Sequence, residues 1–342
     1  MANIRLAKKS THRPNVLAVV GGDSLLGKEV RELIDNQHLP AQVKLIAAAV
    51  ETVQVITAQQ GEPAVMTALQ ADDIKSAGIA LLAGPPDASR KAYELAGGGA
   101  RPIFVDASGA LEDNPLARLR APMVEPSRGD AGRLHVIAHP AAIALAVFLR
   151  QLRKMAAIRR CIAIIYEPAS ERGQAGLDEL QQQTVGLLSF QKLKKNVYDA
   201  QVSFNMLPRY GEDAPRSLEE IELTVDKHLA SLLSKLEGVP MPSLRVVQAP
   251  VFHGYSFSLW VEFEQSPDLD AIAKGLAADP IDVRPKDLEP PTNVGIAGQS
   301  GISVGVIARD RNDARAAWFW MVADNLRITG ENAVEVVREL LE

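Results

Sequence analysis

A chain of 342 residues, 47% hydrophobic and 23% charged, can bury a sizeable core and suits two domains. Its formal net charge of -5 excludes a general nucleic-acid binder, whose phosphate contacts need a basic face. No apolar run approaches the ~20 residues that span a bilayer, and a single cysteine, Cys161, allows no internal disulfide, so a reducing, cytoplasmic setting with no membrane partner is expected. The locally basic start (Arg5, Lys8, Lys9, Arg13) lacks the h-region and cleavage site of a targeting peptide and reads as a loose tail.

Residues 15–20 form a short β-rich run, followed by glycines at 21, 22 and 27 and a helical pattern from Lys28 to Ile34. Strand, Gly-rich turn and helix in that order open a dinucleotide-binding unit. Further apolar runs at 43–49, 79–83 and 103–105, with a helical stretch at 87–97, imply a parallel sheet covered on both faces. After Pro140 the character changes. A long apolar helix is expected over 141–152, a strand over 161–166, and a charged helix over 216–236 whose Ser217 and Glu220 have capping-box spacing. Strands follow at 244–251 and 255–263, the second setting Tyr255, Phe257, Leu259, Val261 and Phe263 on one face. The runs 304–307 and 318–322 read as further strands, and a terminal helix is expected from Glu331 to Leu341.

Several of these pieces, in this order, resemble the aspartate-semialdehyde dehydrogenase family: the turn Gly21 to Gly27, Asp106-Ala107-Ser108-Gly109, Tyr166 through Gly176 with Asp178-Glu179-Leu180, Phe204-Asn205-Met206-Leu207-Pro208, Ser217-Leu218-Glu219-Glu220, Ala249-Pro250-Val251 with Gly254 and Ser256, and Asp324-Asn325-Leu326-Arg327 leading to Asn332-Ala333-Val334. The resemblance implies an α/β protein: a Rossmann-type, NAD(P)-binding parallel-sheet domain over 1–138, an α+β dimerisation and substrate domain over 139–322, and a C-terminal helix at 323–342 returning to the first. It further implies a homodimer, with hetero-association with a true family dehydrogenase as another arrangement, and a role in amino-acid biosynthesis from aspartate.

The family's chemistry is NADP-dependent reductive dephosphorylation of an acyl phosphate, or its reverse, through a cysteine thioester, a proton-shuttling histidine and anion-binding arginines. Carried over by motif, the thiol falls on Pro140, which has neither a nucleophile nor an N–H and suits a helix N-terminus; Ala141, Ala142 and His139 do not replace it. The histidine falls on Tyr255, a phenol protonated at neutral pH. His253, two residues earlier on the same expected strand face, is a further candidate base if the register slips. The carboxylate-binding arginine falls on Gln248, the phosphate-binding arginine on Glu112, the glutamine on Glu167 and a lysine on Glu222, so the anion site loses two positive charges. Cys161, beside Arg159 and Arg160, reads as a small apolar residue of a core strand.

The cofactor turn is altered too. Gly21 and Gly27 remain, Ser24 replaces the middle glycine, and Asp23 sets a carboxylate near the pyrophosphate position. The loop that would grip a 2′-phosphate becomes Ala47-Ala48-Ala49-Val50-Glu51, in which Glu51 favours the ribose diol of NAD. NAD or NADP is thus implied by resemblance, with binding weakened or lost, and no metal is expected. The expectation is a family member without the parent activity, kept for dimerisation, binding or regulation. The alternative is an NAD(P)-dependent oxidoreductase acting on an aldehyde or oxo group of another substrate, without a cysteine, through Tyr255, Glu167 or His253.

Overall fold

Hydrophobic runs of two kinds, buried on both faces or on one, sort the chain into two sheets. The computed structural model describes residues 16–48, 55–59, 62–97, 101–125 and 132–342. The basic start of the chain and Glu51 lie outside the described residues.

The first half contains β1 (Val16–Val20), α1 (Leu25–Gln37), β2 (Gln42–Ile46), β3 (Val55–Gln59), β4 (Glu62–Thr67), α2 (Ala71–Lys75), β5 (Ile79–Leu82), α3 (Pro86–Ala96), β6 (Ile103–Asp106), β7 (Ala117–Arg120) and β8 (Leu134–Ile137). They form an eight-stranded sheet in the order β3-β4-β2-β1-β5-β6-β8-β7. Seven strands are parallel, and β3 pairs antiparallel with β4 at one edge. Every residue of β5 and β8 is buried, as helices on both faces require. The β3–β4 hairpin and β7 were not foreseen. Edge strands such as β7, Ala-Arg-Leu-Arg, are half polar and carry no continuous apolar run.

The second half contains α4 (Pro140–Met155), β9 (Ile158–Glu167), a 3-10 turn (Ala169–Arg172), α5 (Gly173–Leu188), α6 (Leu218–Leu233), β10 (Ser243–Gln248), β11 (Tyr255–Phe263), α7 (Leu269–Leu276), β12 (Ile281–Val283), α8 (Asn293–Ile296), β13 (Ile302–Arg309), β14 (Ala316–Ala323) and α9 (Asn325–Leu341). Its mixed sheet has the order β10-β9-β11-β14-β13-β12. The expected inner face of β11 is buried from Tyr255 through Phe263. Helix α4 is buried on all sides from Pro140 to Leu149, which explains its near-absence of polar residues over that span. Helix α6 starts with the capping box read from the sequence: Glu220 N–H donates to Ser217 Oγ (3.1 Å), and Ser217 N–H donates to Glu220 Oε2 (2.9 Å).

The last helix begins at Asn325 rather than Glu331, because the Asp324 carboxylate accepts from the N–H groups of Leu326 and Arg327. Gly330, in the second turn, interrupts the helical pattern. It is there for packing, since a Cβ would lie 2.8 Å from Leu33 Cδ1 of α1. Helix α9 thus lies against α1, and Arg327 closes the contact on Glu29 at 2.8 Å. Among the described residues no helix is long and apolar enough to cross a membrane.

Candidate functional site

The N-terminus of α4 is where the altered positions meet. Pro140 occupies the first helical position, where the missing N–H has no intrahelical partner to lose. His139 caps the helix: its Nδ1 accepts from Ala141 N–H at 3.3 Å, and its own N–H donates to His228 Nδ1 at 2.9 Å. Burial drives His139 well below its ordinary pKa, so the ring is neutral, with its proton on Nε2. That nitrogen faces Glu171 Oε1 at 3.4 Å. On the outer side, Glu112 reaches Lys227 Nζ (2.7 Å) and stands 3.4 Å from His228 Nε2. The His228 ring and then Lys227 hold Glu112 down to about 2 against the cost of burial. A carboxylate therefore stands, ionised, at the position carried over from the phosphate-binding arginine.

Glu167 and Gln248 face each other across the parallel pair β9–β10, and Tyr255 opens β11. All three are buried. Glu167 Oε1 meets Arg172 Nη2 at 3.0 Å. The Tyr210 hydroxyl lies 2.6 Å from Gln248 Oε1 and 3.1 Å from Glu167 Oε1, and Gln248 Nε2 donates to the carbonyls of Glu167 and Ala249. Burial opposes the Arg172 charge, but Glu167 first, then Tyr210 and Glu171, keep it a cation. Glu171 accepts from Asn325 Nδ2 at 3.1 Å and is pushed up to about 7, by burial and then by the neighbouring Glu167 charge. The Tyr255 ring stands edge-on to His139 at 5.9 Å. Burial, then Glu171 and Glu167, hold its phenol protonated.

The phosphate-type turn keeps its shape for internal reasons. Gly21 has φ +80°, and a Cβ there would lie 2.2 Å from Gly84 Cα; one on Gly27 would lie 1.9 Å from the Gly21 carbonyl oxygen. Ser24 Oγ accepts the Gly27 N–H (2.9 Å) and donates to the Ala83 carbonyl (2.6 Å), capping α1. Asp23 accepts the Ala48 N–H at 2.8 Å. A pyrophosphate at this turn would meet the Gly27 amide already engaged by Ser24 and the Asp23 carboxylate alongside.

Residues 149–328 match the model of the family described as "Semialdehyde dehydrogenase, dimerisation domain". This chain belongs to the semialdehyde dehydrogenase family. It is 26% identical over 340 residues to an aspartate-semialdehyde dehydrogenase of Rickettsia bellii, covering 95% of this chain and 97% of the relative. A USG-1 protein homolog of Pseudomonas aeruginosa is 27% identical over 324 residues, covering 92% and 94%. The structure of a probable aspartate-semialdehyde dehydrogenase from Pseudomonas aeruginosa aligns with TM-score 0.84 at 27% identity, covering 96% of this chain and 99% of that one. The Vibrio cholerae aspartate semialdehyde dehydrogenase II complexed with ASA shares the fold, with TM-score 0.82 at 21% identity over 96% and 98% of the two chains.

In this family member, Pro140, Tyr255, Glu167 and Gln248 are drawn into one buried neighbourhood, and Glu112 joins it through His228. His253 does not share the Tyr255 face. Strand β11 begins only at Tyr255, and Gly254 at φ +80° breaks the alternation, leaving His253 in the preceding turn. Glu222, carried over from a lysine, accepts the Val246 N–H of β10 at 2.8 Å. Cys161 is buried in β9 with its thiol pushed up to about 12 by burial, and both flanking arginines pair with Glu262. Glu171, Arg172, Tyr210 and His228 were missed as site residues. Only the first two lie in a quoted motif, and nothing in the spacing shows that the 3-10 turn brings Arg172 back onto Glu167.

Proposed function

We propose that this semialdehyde dehydrogenase homologue has lost the parent reductive dephosphorylation and is kept as a dimeric binding or regulatory protein. Pro140 carries the reading: the residue at the nucleophile position has no group that attacks a carbonyl and is locked as the first residue of a buried helix. The ionised Glu112 and the Glu167–Arg172 pair support it, since an acyl phosphate would meet negative charge and an arginine already engaged. The division at 138/139, with 323–342 returning to the first half, is part of the same reading.

The outer face of the mixed sheet supports a homodimer. Trp260 stands in register between Ile162 and Trp318, and both indole N–H groups donate to Asp310 Oδ2. Ile162 and Trp318 are 46% and 41% exposed, an apolar surface that a second copy, or a true family dehydrogenase, would cover. One observation favours an oxidoreductase on another substrate instead: Glu171, near 7, is an acid–base group in the working range. The cofactor turn weighs against it.

The test follows reduced cofactor at 340 nm with aspartate semialdehyde, phosphate and NADP or NAD, beside an active family member. No turnover is expected. Turnover would place the nucleophile elsewhere.

A further inference from the structure

A cleft of about 420 Å³ opens at the edge of the mixed sheet, between strands β12, β13 and β14 and the proline-rich segment that leads into α8. Its volume falls in the range of small-molecule sites, about 300–1,000 Å³. None of its lining residues belongs to the buried neighbourhood around Pro140.

The cleft is preformed. Asp282 pairs with Ser303 across β12–β13, and Ser303 with Val322 across β13–β14, so the three stand abreast on one face of the sheet as a floor. The facing wall, residues 289–300, is fastened at three points. The Trp320 indole N–H donates to the Pro291 carbonyl (3.0 Å), Asn293 Nδ2 donates to the Gly254 carbonyl (2.6 Å), and the Gly298 N–H donates to Asp324 Oδ2 (2.7 Å). Gly305 lets the wall come this close, since a Cβ there would lie 2.6 Å from Pro291 Cδ. A cleft fixed before its ligand arrives loses little entropy on binding.

Its lining is apolar in depth and charged at the rim. Pro291, Ile296, Ile302 and Val322 are buried and offer aliphatic surface. At the rim Arg284 Nε meets Asp282 Oδ2 at 2.9 Å, and Ser303 Oγ donates to the same oxygen at 3.2 Å. The Arg284 and Asp282 side chains are 46% and 60% exposed, so this pair holds itself weakly. Among the described residues, the terminal nitrogens of Arg284, Asp282 Oδ1 and the Glu289 carboxylate meet no partner. A guanidinium with both terminal nitrogens open matches a carboxylate in two parallel bonds. An open carboxylate oxygen beside it matches an ammonium. Two carboxylates and one guanidinium leave the lining one negative charge, which disfavours a simple anion. The complement is a molecule with a carboxylate and an ammonium side by side and an apolar body.

We infer that this cleft binds a free α-amino acid with a bulky apolar side chain, its carboxylate on Arg284, its ammonium on Asp282 and its side chain against Ile296 and Val322. The inference goes beyond the loss of parent chemistry and does not depend on it.

Isothermal titration of the full chain with L-phenylalanine tests it. The controls are 3-phenylpropionate, which lacks the ammonium, phenethylamine, which lacks the carboxylate, and glycine, which lacks the side chain. L-Phenylalanine is expected to saturate, and each control to bind at least tenfold more weakly. Arg284→Gln should abolish the preference for L-phenylalanine over phenethylamine, and Asp282→Asn the preference over 3-phenylpropionate. Both side chains lie at the exposed rim, so both variants should melt as the native chain does. No saturable binding of L-phenylalanine, a control that binds as tightly, or preferences unchanged by both substitutions would overturn the inference. Failure here leaves the loss of parent chemistry standing, while turnover at 340 nm overturns that loss without bearing on this cleft.

Discussion

Arg172 Nη2 lies 3.0 Å from Glu167 Oε1, and the carboxylate side chain is wholly buried. Four residues separate the two. Pro168 and the 3-10 turn fold the chain back so that the arginine lands on the strand end it has just left. Removing one member of a buried pair leaves the other charge uncompensated, at about 3–5 kcal/mol. Arg172→Met should therefore destabilise the protein by about that amount in urea denaturation, and adding Glu167→Gln should restore most of it. Equal instability of the single and double variants would mean that the guanidinium serves packing rather than charge balance.

The reach of sequence reasoning follows from which features are local. The β11 alternation and the Ser217–Glu220 cap depend on neighbours a few residues away, and both stand as read. The carried-over positions converge because the motifs fix the fold that joins them. Three misreadings share another cause. His253 fell off the strand because of a single glycine conformation, α9 began early because of an aspartate cap, and Arg172 became a site residue through a turn. Each depends on backbone geometry that residue periodicity does not encode.

Glu171 makes the site sensitive to pH. Its folded pKa is raised from an ordinary 4.5 to about 7, so its contribution to stability is full below 4.5 and is lost as pH rises through 7. Glu112 acts oppositely: lowered to about 2, it contributes stability above 4.5 that is lost as pH falls through 2. Denaturation midpoints measured from pH 4.5 to 8 should fall with rising pH in the native chain relative to Glu171→Gln. Parallel curves for the two proteins would show that Glu171 titrates at its ordinary value.

Restoring the thiol alone should not restore the reaction. Pro140→Cys would put sulfur at a helix N-terminus, a position that lowers a thiol pKa. The chain would still carry Tyr255, Gln248 and Glu112 where proton shuttling and anion binding are required. No cofactor reduction is expected at 340 nm from Pro140→Cys. Turnover from that single change would show that the substituted groups are not what silences the site.

The open face of the mixed sheet has an arrangement that favours self-association over random exposure. Asp310 fixes both Trp260 and Trp318 by their indole N–H groups, so the two rings are held in place before any partner arrives, and little side-chain entropy remains to be lost. Beside them, Glu262 gathers Arg159, Arg160 and Arg315, and the Arg160 guanidinium lies 5.8 Å from the Trp260 ring centre. Burying this face pairs aromatic surface with a rim of charge already balanced inside one chain, as a stable interface needs. Trp318→Arg would place an uncompensated cation in the centre of the band. Sedimentation velocity should give a dimer for the native chain and a monomer for Trp318→Arg, with unchanged far-ultraviolet circular dichroism. A dimer that survives the substitution would move the interface off this face.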